Sequence, residues 1–407
     1  MSRIIINNRH YDLGWLSDPE NDSAQNLLRK HYQNPIRPVC GCLSMPDGRN
    51  RELSIRKCRR FLLARLPKTG ENHSILCPFY GTSESRATAN GGAQPAIIER
   101  NGIVNINLAS YLRVAMDLKG AGGGGHAPAG ATRPTITLLG LLNESLHQTR
   151  LNIWYPNRQR KRSLTTLHNC ILDMAQDMVI EGERRRLADM LVIPHWLQDK
   201  PGSLRGNRAT LFVKTTKPER AAIIIGHVTR WIPSRRETGG IGVGLDLLDE
   251  LLWMTPETAA AAERSFGQLI SEIDKRDRHI LAICTVFRTG KYCTIADLAL
   301  LRTNLQFIPV ESAYELQIAD KLVAEGRAFR KPLRVDGSGF RPDFVLTDGD
   351  KDWALEVFGM TRDPAYQARK ERKLKIYHQQ RIPLWSWTPE DDDAVPDFPE
   401  RETKPAG

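Results

Sequence analysis

The stretch at residues 340–373, FRPDFVLTDGDKDWALEVFGMTRDPAYQARKERK, decides how the C-terminal part of this chain is read. Two short apolar runs flank the polar turn Asp348-Gly349-Asp350, and a run rich in Lys and Arg follows Asp363-Pro364. Alternation along the second run puts Ala354, Glu356 and Phe358 on one strand face and Trp353, Leu355 and Val357 on the other. An acidic side chain in an otherwise apolar strand costs free energy unless something compensates it. Asp343 opens the first run, and a hard cation such as Mg²⁺ shared by Asp343 and Glu356 would compensate both. The competing readings are a solvent-facing strand start for Asp343 and an ion pair with a helix cation for Glu356.

Working outward, the pattern from residue 309 predicts a helix over 311–325 that stops at Gly326. Strands follow over 328–335, 340–346 and 353–358. A second helix runs from Asp363 (N-cap) and Pro364 (first turn) to about residue 380. A last strand covers 382–387, so residues 309–388 read as αβββαβ. On the first helix Glu315, Ile318, Ala319 and Leu322 share one stripe. Glu315 therefore either joins the two carboxylates or closes a capping box with Ser312. On the second helix Tyr366, Lys370, Lys373 and Tyr377 fall on one stripe. If the tyrosines face the sheet, Lys370 or Lys373 is placed to orient an attacking water and stabilise phosphorane charge. The alternative is a solvated basic helix.

These residues resemble the PD-(D/E)xK nuclease superfamily, of restriction-endonuclease-like fold, whose pattern is a helical Glu, then PD, then ExK. Pro342-Asp343 matches the PD, Glu356 matches the E, and Glu315 falls where the helical Glu would. The position of the final lysine holds Phe358. Some members carry that lysine on the following helix, where Lys373 or Lys370 would take its role. The resemblance implies an Mg²⁺-dependent deoxyribonuclease, with the metal held by Asp343, Glu356 and the Val357 carbonyl. The longer chain looks like an uncharacterised bacterial family associated with plasmids and integrative conjugative elements. That likeness rests on the N-terminal Cys/His spacing, TLLGLLNE at 137–144, RAFRKPL at 327–333 and EVFG at 356–359. It implies a mobile-genetic-element setting.

The N-terminal part carries a second chemistry. Four of the seven cysteines lie in the first 80 residues, and an odd total argues against a disulfide framework. Cys40-Gly41-Cys42 followed by His73-x3-Cys77 supplies four N/S ligands, enough for a structural, tetrahedral Zn²⁺. Cys58 is an alternative ligand to His73 or a reactive thiol between Lys57 and Arg59. Ordinary small buried cysteines are the bland reading.

Between these ends the chain reads as follows. Residues 1–82 form the zinc module, with a helix near 24–32 and a strand over 61–66. Residues 83–134 are a Gly/Ala-rich linker with one ordered island at 96–119. Residues 135–308 form a mixed helical/β region, and 389–407 an acidic, Pro-containing disordered tail. In the middle region helices are expected from 138 and over 163–183. Strands are expected at 210–213, 222–225 and 279–286. The glycine-rich run 239–244 reads as a turn before a helix over 245–253, since neither a Walker lysine nor GxGxxG is present. A helix over 256–276 follows. Trp154-Tyr155 beside Arg158, Arg160, Lys161 and Arg162 reads as either a solvated basic loop or a phosphate contact.

The whole is an α/β multidomain chain. A net charge of +11 and a pI of about 9.4 favour a polyanionic partner, DNA being the usual one. No apolar run reaches the roughly 18 residues of a membrane helix, and the first residues do not form a signal peptide, which places the chain in the cytoplasm.

Overall fold

The computed structural model describes residues 3–17, 21–43, 49–57, 60–66, 69–80, 97–100, 103–108, 135–156, 161–180, 185–216, 221–234, 239–333, 341–349, 351–359, 363–392 and 394–401. The fold is mixed α/β with several sheets. Cys58 and residues 83–96, 101–102 and 109–134, which make up most of the expected linker, lie outside the described residues.

The N-terminal module opens on a hairpin of Arg3–Ile6 (β1) and Arg9–Asp12 (β2). Asn7 and Asn8 turn it with φ of 47° and 63°, the left-handed values a two-residue hairpin turn needs. Leu13–Ser17 (α1) and Asp22–His31 (α2) follow. The Asn21 side chain accepts the Ala24 N–H at 3.2 Å, which starts α2. Val39–Cys40 (β3) pairs with β1, and Leu53–Lys57 (β4) with Phe61–Arg65 (β5). Ile4, Ile6, Leu16, Leu28 and Leu53 fill the core.

In the middle region come Ile97–Arg100 (β6), Ile103–Ile106 (β7), Leu138–Gln148 (α3), Ile153–Trp154 (β8), Leu164–Ala175 (α4), Met178–Ile180 (β9), Leu187–Met190 (α5), Leu191–Val192 (β10) and Lys200–Thr215 (α6). Two expectations are corrected here. The helix expected to reach residue 183 ends at Ala175, because Met178-Val179-Ile180 pairs in parallel with β7. Residues 210–213, expected as a strand, lie inside α6. Their β-forming types are outvoted by the Asp199 cap, by Pro201 in the first turn and by burial of Leu211 on one helical face.

A five-stranded barrel follows. Its strands are Ala221–Pro233 (β11), Ile241–Leu245 (β12), Leu252–Met254 (β13), Arg278–Thr289 (β14) and Tyr292–Asn304 (β15), with Pro256–Ile270 (α7) between β13 and β14. The order is β11-β12-β13-β15-β14, and β14 pairs back onto β11, closing the ring. The β13–β15 pair is parallel and the others are antiparallel. The helix expected over 245–253 does not form. Gly239 and Gly240 do turn the chain, with φ of 68° and 100°, but Ile241, Val243 and Leu245 then alternate inward with Gly242 and Gly244 outward, so residues 241–245 are a strand. One half of the barrel's outer wall, including Ile223, Ile225, Leu281 and Ile283, packs in the same core as α3 and α4.

The C-terminal part is Pro309–Val310 (β16), Ala313–Ala324 (α8), Phe329–Arg330 (β17), Phe344–Leu346 (β18), Trp353–Val357 (β19), Pro364–Gln379 (α9) and Leu384–Trp387 (β20). From α8 onward the order is αβββαβ. The sheet runs β20-β19-β18-β17-β8, with only β19 and β20 parallel. Its outer strand β8 comes from the middle region. The tail expected to be disordered is instead packed over residues 394–401. Phe398 lies 5.1 Å from the Trp385 ring, and Lys321 donates to the Val395 carbonyl at 2.8 Å. Apolar Val395 and Phe398 among the acids and prolines supply that anchor. Among the described residues no helix is long and apolar enough to cross a membrane.

Candidate metal centres

The first centre lies at the N-terminal end. β3 places Cys40 under the sheet, and the next residues carry Cys42 toward a tight loop holding His73 and Cys77. Cys77 N–H donates to the Ser74 carbonyl at 2.8 Å, folding the H-x3-C segment back on itself. Buried Arg51 donates to the Cys40 carbonyl at 3.2 Å, and Cys40 N–H donates to the Arg51 carbonyl at 2.9 Å. The Cys40 and Cys77 sulfurs are 3.6 Å apart. His73 Nδ1 is 3.6 Å from both the Cys42 and the Cys77 sulfurs. All four ligand atoms lie within 4.8 Å of one another. A tetrahedral zinc with bonds of about 2.3 Å to sulfur has ligand-to-ligand edges of about 3.7 Å, so the cluster has the size of a zinc cage.

The three sulfurs perturb one another's ionisation. Hydrogen bonds from Cys40 and Cys77 pull the Cys42 thiol far below its ordinary range. Burial, then the neighbouring sulfurs, push Cys77 well up. A bound metal such as Zn²⁺ would hold all three as thiolates. The residues present therefore fit the group.

The second centre is on the C-terminal sheet. β18 and β19 pair with Phe344 opposite Leu355, which sets Asp343 beside the end of β19. Asp343 Oδ2 accepts the Val357 N–H at 2.8 Å. Glu356 is 1% exposed, and Lys373 Nζ lies 2.8 Å from both its carboxylate oxygens. The Tyr377 hydroxyl also donates to Glu356, and the Tyr366 hydroxyl donates to the Val357 carbonyl at 3.2 Å. The Tyr366-Lys370-Lys373-Tyr377 stripe of α9 thus faces β19. Lys370 ends over the Phe358 ring, 4.4 Å from its centre.

Glu315 feels the Asp343 charge but has other partners. The Ser312 hydroxyl caps α8 by accepting the Glu315 N–H at 3.1 Å, while Glu315 Oε2 accepts the Glu311 N–H at 2.7 Å. The same oxygen is 2.8 Å from Lys331 Nζ, in an ion pair with both side chains buried. Among the described residues the Cys/His cluster is the one group of three or more His, Cys, Asp or Glu with converging ligand atoms, so the three carboxylates do not form such a group. The sequence reading missed Lys331 and Tyr377 as partners of the acids. The signal for Tyr377 was its place on the lysine stripe. Lys331 follows Arg330 just past the end of β17, and no local pattern marked it as buried.

Charge is concentrated here at a cost. Burial, then the Asp343 charge, push the Glu356 carboxyl up to about 8, against the pull of Lys373 and Tyr377. Burial, then Glu356, raise the Tyr377 hydroxyl. Burial lifts the Glu315 carboxyl despite Lys331. Between the ordinary Glu range and about 8, the folded chain keeps a Glu356 proton that the unfolded chain releases, so this residue's contribution to stability falls as pH rises through that window. Thermal melts from pH 5 to 9 are expected to show a smaller decline for Glu356→Gln than for the unmodified chain. Parallel curves would mean that Glu356 does not titrate there.

The two centres touch. Leu76, next to the ligand Cys77, packs with Val345, Ala354 and Tyr377. Arg330 of β17 donates to the Leu76 carbonyl at 2.6 Å.

Comparison with curated proteins and with solved structures gives no match. The family described as "Protein of unknown function (DUF1173)" matches residues 11–390, nearly the whole chain, and the protein belongs to that family.

Proposed function

We propose that this chain is a metal-dependent DNA phosphodiesterase of a mobile genetic element, a nuclease or nuclease-derived DNA-processing protein. The observation that carries the proposal is Lys373, brought by α9 to 2.8 Å from both oxygens of Glu356 with Asp343 on the paired strand. This is the acid-acid-lysine set expected of such a site, with the lysine supplied by the helix after β19. A divalent cation fits, because Glu356 is buried against the Asp343 charge and a cation would relieve that repulsion. Asp343 and Glu356 would hold the Mg²⁺, which would supply a more acidic water and polarise a phosphate oxygen. Lys373, 31% exposed, can move from Glu356 to hold the attacking water and the charge that builds on phosphorus. Tyr377 keeps Glu356 aimed while Lys373 moves.

Supercoiled plasmid incubated with Mg²⁺ tests this. The unmodified chain is expected to nick it, and Asp343→Ala to lose about 100-fold or more. No Mg²⁺-dependent nicking by the unmodified chain, or equal nicking by both, overturns the proposal.

A second reading is favoured by the saturation of Glu356 by Lys373 and Tyr377 and by Phe358 in the lysine's usual place. In it the chain is a catalytically inactive DNA-binding or assembly protein of a conjugative element. It expects DNA binding with a steep salt slope and no nicking. A zinc-stabilised protein-interaction adaptor expects neither.

A further inference from the structure

The barrel offers a binding surface that the metal centres do not use. Its outer wall has two halves. One is covered by the helical layer around α3 and α4. The other is formed by the second half of β11, by β12 and β13, and by the start of β15, and its outward residues differ in kind. In the pairing register Arg230 lies opposite Gly244, Ile232 opposite Gly242, Gly242 opposite Trp253, and Trp253 beside Thr294.

Trp253 lies half-buried along this wall. The atoms nearest to a Cβ built on Gly242 belong to the Trp253 ring, at 3.1–3.4 Å, and those nearest to one built on Gly244 belong to Arg230. Glycine at both positions lets an aromatic ring and a guanidinium lie flat on the strand. Ile232 is 38% exposed. At the tip of the β14–β15 hairpin, Lys291 Nζ lies 5.4 Å from the centre of the Tyr292 ring. Arg230 and Lys291 are exposed, and neither is ion-paired among the described residues. The strand segments of this wall, residues 229–233, 241–245, 252–254 and 292–295, contain no Asp or Glu.

We propose that this wall binds single-stranded nucleic acid, with a base stacked at Trp253 and the backbone phosphates met by Arg230 and Lys291. The chemistry is that of single-strand recognition: an aromatic platform, unpaired cations and no competing acid. The closed β11-β12-β13-β15-β14 order with a helix between the third and fourth strands agrees. Five-stranded Greek-key barrels of this design take oligonucleotides or oligosaccharides on the face of their second and third strands, here β12 and β13. Unpaired cations on an acid-free wall favour the polyanion over a neutral sugar. The proposal extends the DNA-processing reading with a substrate form but stands on a separate surface.

The test is fluorescence anisotropy of the full chain with dye-labelled thymidine and uridine oligomers, in EDTA so that no Mg²⁺-dependent cleavage intervenes. The unmodified chain is expected to bind, with affinity falling as salt rises. Trp253→Ala is expected to weaken binding about tenfold, Trp253→Phe to restore most of it, and Arg230→Gln to reduce the salt slope. Asp343→Ala is expected to bind like the unmodified chain, so failure of the nuclease reading leaves this result intact. The two oligomers separate DNA from RNA as the source of the strand. No binding to either, or equal binding by Trp253→Ala, overturns the proposal. If Trp253→Ala does not fold, Arg230→Gln with an unchanged affinity and salt slope overturns it.

Discussion

Removing the metal-binding capacity of the Cys40–Cys42–His73–Cys77 cluster is expected to unfold the N-terminal module. Structural zinc contributes on the order of 10 kcal/mol or more of apparent binding free energy in small modules, comparable to the whole stability of a typical domain at about 5–15 kcal/mol. The module's apolar core includes the ligands Cys40 and Cys77 themselves, so it loosens with the cage. Its sheets are a short three-stranded one and a two-stranded hairpin, and two-stranded hairpins are marginal in water. The purified chain is expected to carry one zinc, and the Cys40→Ser/Cys42→Ser variant none. In that variant limited proteolysis should cut within the first 80 residues while the barrel stays protected. Stoichiometric zinc in the double variant would rule out this site. Because Leu76 packs on Tyr377, hydrogen exchange in α9 should also quicken when the loop loses its metal.

Lys331→Met is expected to destabilise the C-terminal part by about 3–5 kcal/mol near neutral pH. The substitution removes the cation paired with Glu315 and leaves that carboxylate in a buried site. Two features set the size of the effect. Lys331 is 2% exposed, so water cannot replace it, and Phe344 already flanks its ammonium at 5.2 Å. The Glu311 N–H still reaches Glu315, which keeps one hydrogen bond but no charge balance. Protonating Glu315 removes the uncompensated charge, so the penalty should shrink as pH falls. The Lys331→Met/Glu315→Leu pair should recover most of the loss, since replacing both members of a buried ion pair with apolar groups is often neutral or better. Urea denaturation at pH 5 and 8 measures each. An equal loss at both pH values would show that the Lys331→Met variant fails by packing and not by stranding a charge.

The C-terminal unit was legible because its signals are local. The Asp363-Pro364 start, the Gly326 stop and the two-residue period of Trp353–Val357 each fix a short element without help from distant residues. The Cys/His cage was legible because ligand spacing is a local quantity, although convergence of the two halves is not. The glycine-rich run at 239–244 was legible only at Gly239 and Gly240, because a glycine turn and a strand with glycines facing outward have the same composition; from Ile241 on, only the partner strands β11 and β13 decide between them. Residues 210–213 failed for the opposite reason, since strong β-formers sit in a helix whose cap lies more than ten residues upstream. Glu315 was ambiguous in sequence between cap and site. Its partner Lys331 lies across a helix-to-strand connection that no short pattern encodes.

The outer position of β8 has a consequence for dissection of the chain. Ile153 and Trp154 cover one edge of the C-terminal sheet, and Asn152 braces them by donating to the Lys331 carbonyl at 2.7 Å and accepting the Lys331 N–H at 2.8 Å. A fragment beginning near residue 309 would keep both acids and Lys373 yet present β17 with a naked hydrogen-bonding edge. Such edges recruit other strands. The fragment is therefore expected to self-associate, and the unit that behaves as one piece has to reach back to include residue 152.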